Sequence, residues 1–587
     1  MTIPWMSMRP RRLYALLACA ALALPPAAAY GQAPPPEVMA WADLVLYNTK
    51  VITADEQFTI AEAVAIRDGK FLAVGPNQRI LAMAGPKTRK IDLAGRSIVP
   101  GFIDTHLHSA FVGNSGFVSA RADGQEDRWD TLEAAIETIK KHVEAAKPGQ
   151  TLALSSPSND VTVNQLNVKL LDQLAPNNPL FVEATNDQVA ANSLILKQIP
   201  PDTAGVLKDA QGQPTGQLRG GAAGIPVWDL QPWPAVESLY GPQKEEFKRY
   251  NAQGLTTIGG RTTGLAITLF RDLMLKDELT VRVRAIHELM RQNPTPEPYL
   301  KRVGNLTDFG NDWFKIIGTT VQVIDGTTGS GSGYTTFSKL KSPAGDPYPP
   351  TGQNKWEEVG DLKKSDRWNL ILANRYGWRI TGLHSSGDKS NDVILDAFAE
   401  AHKERSLHGR RFGIDHGEMW RPDQYAKIKE LQVIPSLYSK ALYSNDRLIE
   451  MYGRDRVDKM QPVRSMIDAG IRPAAEADAR YPFSAPLFNI TKWVTRIDDK
   501  GRMINKEEKI DRKEALYMYT LWAAAYSGEE KLIGSIEPGK LADLVVLGGD
   551  YMTFPETDLG KMPVVMTVVG GRIVHEVAGA TGSSSGM

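Results

Sequence analysis

The chain has 587 residues, 42% hydrophobic and 23% charged, which is the mix of a folded protein with a large core and not of a disordered or collagenous one. Its 68 basic side chains equal its 68 acidic ones, so there is no cationic excess to meet nucleic acid or an anionic membrane, and a small-molecule substrate is the expected partner. The single cysteine, Cys19, excludes a disulfide framework, thiolate metal sites and a cysteine nucleophile in the body of the protein.

At the start of the chain, Arg9, Arg11 and Arg12 precede the apolar stretch Leu13–Leu24 and the small-residue run Ala27–Ala29. This reads as a secretory signal peptide over residues 1–33, cleaved after Ala29 or Ala33. The apolar stretch is too short to cross a membrane, which takes about 20 residues. Cleavage removes three arginines and no acid, which leaves a net charge of −3 on a periplasmic or secreted product with no membrane attachment. A lipidated Cys19 is the lesser alternative.

Residues 34–100 carry short alternating apolar runs, Leu44–Tyr47, Ala63–Ile66, Phe71–Val74 and Ile98–Val99, the pattern of half-buried strands. Similar runs return only over residues 534–577, at Leu544–Leu547 and Val564–Val569. The two ends of the chain are therefore expected to share one small β-sandwich, with 578–587 as a tail.

Residues 101–533 alternate strand candidates with helical patterns, which implies parallel strands joined by helices. The strand candidates are Gly101–Thr105, Leu255–Ile258, Val281–Ile286, Phe314–Ile317, Arg379–Leu383, Phe412–Asp415, Val433–Leu437 and Ile471–Ala475. Eight is the count of a closed barrel, so the expected fold class is α/β, a (β/α)8 TIM-like barrel with a composite β-sandwich formed by both termini. An insertion at about 109–250, too long for one connection, includes a helix over Asp130–Lys147 and is expected to cover the barrel mouth. Gly326–Tyr334, rich in glycine and hydroxyl residues, reads as a mobile loop beside that mouth.

The chemistry-bearing residues fall at strand ends. His106 and His108 close the first barrel strand two residues apart, which turns both imidazoles to one side, within reach of one metal ion. His384 and His416 end later strands and Asp478 follows the last. Strand-end side chains converge at the C-terminal face of such a barrel, and four histidines with one carboxylate suit Zn2+ or another divalent transition metal. For His384 and His416 taken singly, a structural role is as good a reading. His287, just past a strand candidate, is a further candidate for the pocket, whereas His142, His402, His408 and His575 read as solvated.

The run Val99-Pro100-Gly101-Phe102-Ile103-Asp104-Thr105-His106-Leu107-His108 resembles the first metal-binding strand of the amidohydrolase superfamily, and Gly534 to Leu547 resembles that family's return into its sandwich. His384 with Gly387-Asp388 and Leu395-Asp396-Ala397 is similar to the YtcJ-like amidohydrolase 3 branch, the group that includes N-substituted formamide deformylase. The resemblance implies His106 and His108 as ligands of the more buried metal and His384 and His416 as ligands of a second. Asp478 would contact metal and carry protons. The departures are as specific. Ala475-Glu476-Ala477-Asp478 puts a second carboxylate, Glu476, on the face of Asp478, as a ligand, a substrate contact or a pocket-wall acid. Val321 stands where many members carry a bridging carboxylated lysine, and Gln188, a candidate substrate contact, stands where a histidine is common. One tightly bound metal with an optional second is therefore expected.

The reaction expected is hydrolysis of a C–N bond in an N-acyl, N-formyl, cyclic amide or carbamate compound, with water activated on the metal. Asp478 is expected to move the proton and His384 or His416, if free of metal, to stabilise the oxyanion. Ester or lactone hydrolysis uses the same chemistry. A decarboxylase or isomerase, or an exported binding protein with a degenerate site, are the rivals. Oligomeric state is not readable from the sequence.

Overall fold

In the computed structural model the described residues are 41–108, 131–156, 163, 165–184, 188–200, 203, 205–219, 230, 234–289, 296–321, 323–341, 349–352, 354–356, 365–443, 446–479 and 483–578. The leader and the greater part of the expected insertion's first connection lie outside them. The chain divides into Met1–Trp41 and Ala42–Met587, and the barrel, the sandwich and the inserted sheet all belong to the second unit.

Eight parallel strands make the barrel: β1 Phe102–Asp104, β2 Leu255–Thr262, β3 Arg282–His287, β4 Phe314–Thr319, β5 Leu383–Ser385, β6 Gly413–His416, β7 Ile434–Tyr438 and β8 Ala474–Glu476. They form two halves with neighbours in sequence order, β1 to β4, to which the short antiparallel strand Phe309–Gly310 adds beside β4, and β5 to β8. A single bridge, Thr319 to Ile380, joins β4 to the start of β5. The other seam closes when Thr105 N–H donates to Ala475 O at 3.4 Å and Asp478 N–H to His106 O at 2.9 Å. Helices follow the strands, among them Gly264–Leu275 after β2, Asp388–Glu404 after β5 and Tyr425–Leu431 after β6. Their apolar faces pack on the barrel in one continuous core that includes Phe270, Leu395 and Ile428.

Each of the eight strand candidates corresponds to an observed strand, and the main difference lies in β2. The apolar signal stops at Ile258, but the strand continues through Gly259-Gly260-Arg261-Thr262. Glycine is depleted in strands because it offers no side chain to pack, which hides this extension from pattern reading. Here the two glycines are required by contact: a Cβ on Gly259 would lie 2.4 Å from Thr105 O, and one on Gly260 2.5 Å from Leu107 O. Their absence of side chains lets the His106–His108 segment lie flat on β2, where Leu107 N–H donates to Gly259 O at 2.9 Å.

The sandwich joins both ends of the chain. One sheet pairs 42–47, 63–67, 70–75 and 84–92; the other runs through 572–576, 564–569, 544–547, 97–100, 50–52 and 60–61. Leu46, Ile66 and Phe71 from the first sheet share a core with Ile98, Val546 and Val568 from the second. Between β1 and β2 a five-stranded sheet of 152–156, 180–184, 188–191, 206–208 and 214–219 has its own core, with Leu154, Val182 and Ala190 packed on Ala135 and Ile139 of helix Leu132–Ala145.

The segment Gly326–Tyr334 is anchored at its end: Asp325, fully buried just before it, accepts from Tyr334 N–H at 2.9 Å and also from Gly387 N–H at 2.8 Å and Ser390 Oγ at 2.7 Å. Burial pushes this carboxyl up to about 6, against the pull of those donors.

Barrel and sandwich are tied by a buried bidentate pair in which Arg282 Nε and Nη2 donate to Asp543 at 2.7 and 2.9 Å, with Arg282 only 1% exposed. Gly570 N–H shares the same carboxylate at 2.8 Å. Asp543→Ala strands a buried guanidinium and should cost about 3–5 kcal/mol, read as a clear fall in melting temperature. The double replacement Arg282→Met with Asp543→Leu should recover much of that loss. A melting temperature unchanged by Asp543→Ala would show that the pair does not couple the two parts.

Candidate metal centre

Beyond its last ladder residue β1 continues into Thr105-His106-Leu107-His108. Leu107 packs into the core, so the residues on either side of it turn inward together. Their Nε2 atoms both approach Asp478 Oδ1, at 3.5 Å from His106 and 3.0 Å from His108. Donor atoms around a four-coordinate ion with bonds of about 2.1 Å lie about 3.4 Å apart, so this triad has the spacing of a ligand set. His106 is buried and His108 exposed, which leaves the candidate ion an open side.

Asp478 and His416 both leave their strands with left-handed backbone, φ 46° and 70°. That conformation is uncommon outside glycine and turns each side chain toward the barrel axis just past the strand end. For Asp478, burial alone would raise the carboxyl, but Lys440, followed by His416 and His108, outweighs it and holds the group well below the usual carboxylate range. Lys440 Nζ sits 2.7 Å from Asp478 Oδ2 and so leaves Oδ1 for the histidines.

Carboxylates stand behind two of the imidazoles. His106 Nδ1 is 2.7 Å from Asp415 Oδ2, and His416 Nδ1 contacts Glu476 Oε1, which also accepts from His416 N–H at 3.0 Å. In front of the same two rings stands Arg261, at the end of β2, with Nη2 3.1 Å from His106 Nε2 and 3.4 Å from His416 Nε2. A guanidinium only donates, so both Nε2 atoms are acceptors; the His416 ring proton then sits on Nδ1 toward Glu476, while His106 Nδ1 lies close to Asp415 Oδ2 without hydrogen-bond geometry. This is the tautomer in which a lone pair points into the site, and carboxylate–imidazole pairs of this kind orient metal-binding histidines.

His384 ends one of the strands as expected, with its ring 4.5 Å from that of His416. Its Nε2 is buried without a hydrogen-bond partner, and Asp325 Oδ1 stands 3.6 Å away. Burial, then the neighbouring His416 and Arg261, hold the His384 imidazole well below its ordinary value, and burial takes His416 down to about 4. Both rings are neutral at pH 7.

The structure thus brings together five of the expected residues, His106, His108, His384, His416 and Asp478. Glu476 lies on the face expected of it, but its carboxylate is fully buried and committed to His416, as a wall acid paired with histidine. His287 ends β3 opposite Thr262, and among the described residues no contact ties it to the histidine cluster. Gln188 pairs with Ala184 and Arg219 in the inserted sheet, and its side chain lies outside the described positions. His408 Nε2 lies 2.8 Å from Glu430 O, and the His402 ring lies beside it with centroids 4.7 Å apart and planes tilted by 53°.

Sequence reading missed Arg261, Lys440 and Asp415. The signal for Arg261 was present in its position at a strand's C-terminal end, concealed by the two glycines before it. Lys440 lies two residues past β7 and meets Asp478 only because β7 and β8 are neighbours, Tyr438 opposite Glu476.

A closed eight-stranded barrel with a strand-end histidine and carboxylate cluster defines a metal-dependent hydrolase of the (β/α)8 class. A sequence profile of the amidohydrolase family matches residues 89–575, and the chain belongs to that family, metal-dependent hydrolases acting on carbon–nitrogen bonds. It is 26% identical over 92% of its length to N-substituted formamide deformylase of Arthrobacter pascens, covering 99% of that protein. Identity to YtcJ of Bacillus subtilis (strain 168) is 25% over 90% of this chain and 98% of the relative. Among solved structures, an uncharacterized metal-dependent hydrolase from Pyrococcus horikoshii OT3 superposes with a TM-score of 0.65 at 21% identity, over 87% of this chain and 99% of the other, and shares the fold.

Replacing His106 and His108 together by alanine should empty the metal site. Elemental analysis of variant and parent after the same dialysis checks this, and equal metal in both would overturn the assignment.

Proposed function

We propose that the protein is an exported hydrolase that cleaves the C–N bond of a small N-acyl, N-formyl, cyclic amide or carbamate compound, with zinc or a similar divalent ion held by His106, His108 and Asp478. The observation that carries this reading is the convergence of His106 Nε2, His108 Nε2 and Asp478 Oδ1 at the strand ends of a family member. The relation to N-substituted formamide deformylase favours N-formyl and other N-acyl compounds within that class. When bound, such an ion supplies Lewis acidity toward a carbonyl oxygen and acidifies water toward neutral pH.

The rest of the chemistry belongs to the chain. Asp478, ionised and held by Lys440, receives the proton from the attacking water on Oδ1 and returns it to the departing nitrogen. His384, neutral and with an unpartnered Nε2 nitrogen, is placed to donate to the carbonyl oxygen in its Nε2–H tautomer as negative charge develops there. His108, exposed at the open side, lies where substrate enters. Esters and lactones of similar size fall within the same geometry.

Asp478→Asn keeps the shape and loses the proton affinity. In a panel of N-formyl, N-acyl, carbamate and lactone substrates, kcat should fall by about 10²- to 10⁴-fold with much less change in KM. Metal content is measured on the same sample, so that loss of the ion is told apart from loss of the relay. Full turnover by Asp478→Asn, with loss in Glu476→Gln, would move the role to Glu476. In ¹⁸O-water the carboxyl product should carry solvent oxygen; a product without it would exclude hydrolysis.

Export is supported by Arg9, Arg11 and Arg12, the apolar Leu13–Leu24 and the run Ala27–Ala29. Expressed with its leader, the protein should be recovered outside the cytoplasm with an intact mass that begins after Ala29 or Ala33. A form starting at lipidated Cys19, or an uncleaved form in the cytoplasm, would overturn this.

A further inference from the structure

Around the four histidines the charges are already assigned. Asp325 is consumed by four donors, Tyr334 N–H, Ser386 N–H, Gly387 N–H and Ser390 Oγ. Asp415 serves His106 and the Tyr526 hydroxyl, Glu476 serves His416, and Glu418 accepts from Thr328 and Tyr438. Of these acids, only Asp478 turns an oxygen into the space between the rings. Val321 is buried and apolar, and contributes no oxygen. Against the one inward carboxylate stand two fixed cations, Lys440 and Arg261.

We propose that the Arg261 guanidinium is the second cation of this centre: it occupies the place in front of His416 where a second metal would bind and restricts the protein to one divalent ion. This deepens the hydrolase reading and rests on it.

Three observations carry the assignment. Arg261 Nη2 faces His106 Nε2 and His416 Nε2 at once, so it stands between the ring of the metal triad and the ring that a second ion would need. The bond to His416 uses the one lone pair with which that imidazole could ligate, since its other nitrogen is committed to Glu476. Arginine keeps its charge at any pH at which the fold survives, so it repels a cation brought against it in this buried place. A second divalent ion would be repelled by Arg261 and by the first ion, while the buried acids Asp415 and Glu476 stand on the Nδ1 sides of His106 and His416. For the first ion to bind, the guanidinium must release His106 Nε2, where Asp478 Oδ1 at 3.5 Å offsets the charge. The extension of β2 through two glycines is what carries the guanidinium to this place.

The test is metal stoichiometry of the mature full-length protein, dialysed to saturation with zinc and analysed for metal and protein. The parent should stop at one equivalent however much zinc is supplied. Arg261→Ala should rise to two, with a second anomalous-scattering peak between His384 and His416 in zinc-soaked crystals. Arg261→Gln keeps the length and donors without the charge, and should also rise above one at higher zinc. Circular dichroism and thermal melting establish that both variants are folded, and if the alanine variant is not, the glutamine variant decides. Two equivalents in the parent, or one in the folded variants, would overturn the proposal and leave the hydrolase reading intact. No zinc in any of the proteins would overturn the metal site itself and this proposal with it.

Discussion

The seam between the first and last barrel strands is the constraint on which this site depends. His106 and Asp478 are far apart in the chain, and they meet because Asp478 N–H donates to His106 O at 2.9 Å where the barrel closes. Closure is possible only if β1 lies flat on β2, which the glycine pair Gly259-Gly260 permits, and if β8 follows β7 in register, Tyr438 opposite Glu476. A shift of two residues at either seam would move a candidate ligand by about 6.5 Å along its strand, beyond the reach of any shared ion.

Within that frame the buried acids work at second hand. Asp415 and Glu476 are costly to bury and touch the candidate metal space only through imidazoles. What they provide is direction: Glu476 holds the His416 ring by its Nδ1 and so turns the Nε2 lone pair inward, and Asp415 stands at the same side of His106. Arg261 reads that arrangement from the other side, since a donor-only guanidinium can face two Nε2 atoms only if both are acceptors. Imidazole, carboxylate and guanidinium therefore confirm one another's protonation states, and such mutually satisfied networks are rigid. Asp325 likewise ties Tyr334 N–H to the start of the helix after β5 through Gly387 N–H and Ser390 Oγ.

This division of labour separates the residues expected to tune the site from those expected to react. Asp478 keeps one oxygen on Lys440 and one toward His106 and His108, so its charge is held without being spent. His384 is buried with no hydrogen-bond partner on Nε2.

The sequence by itself determined the strand order, the composite sandwich and the identity of the ligand candidates. Those depend on local signals: alternation of apolar residues, the two-residue spacing of His106 and His108, and the placing of His384, His416 and Asp478 after apolar runs. Only the tertiary structure decided what surrounds them. The position of Arg261 needed β2 to run four residues past its apolar signal, and glycines carry no such signal because what they provide is the absence of a side chain. Lys440 and Asp415 acquire their roles from neighbours on other strands, and the direction in which Glu476 points is set by the turn of His416 into left-handed backbone. Charge pairing and hydrogen bonding act over a few ångströms in space whatever the distance along the chain, and for that reason the second layer of this site could not be read before the barrel was closed.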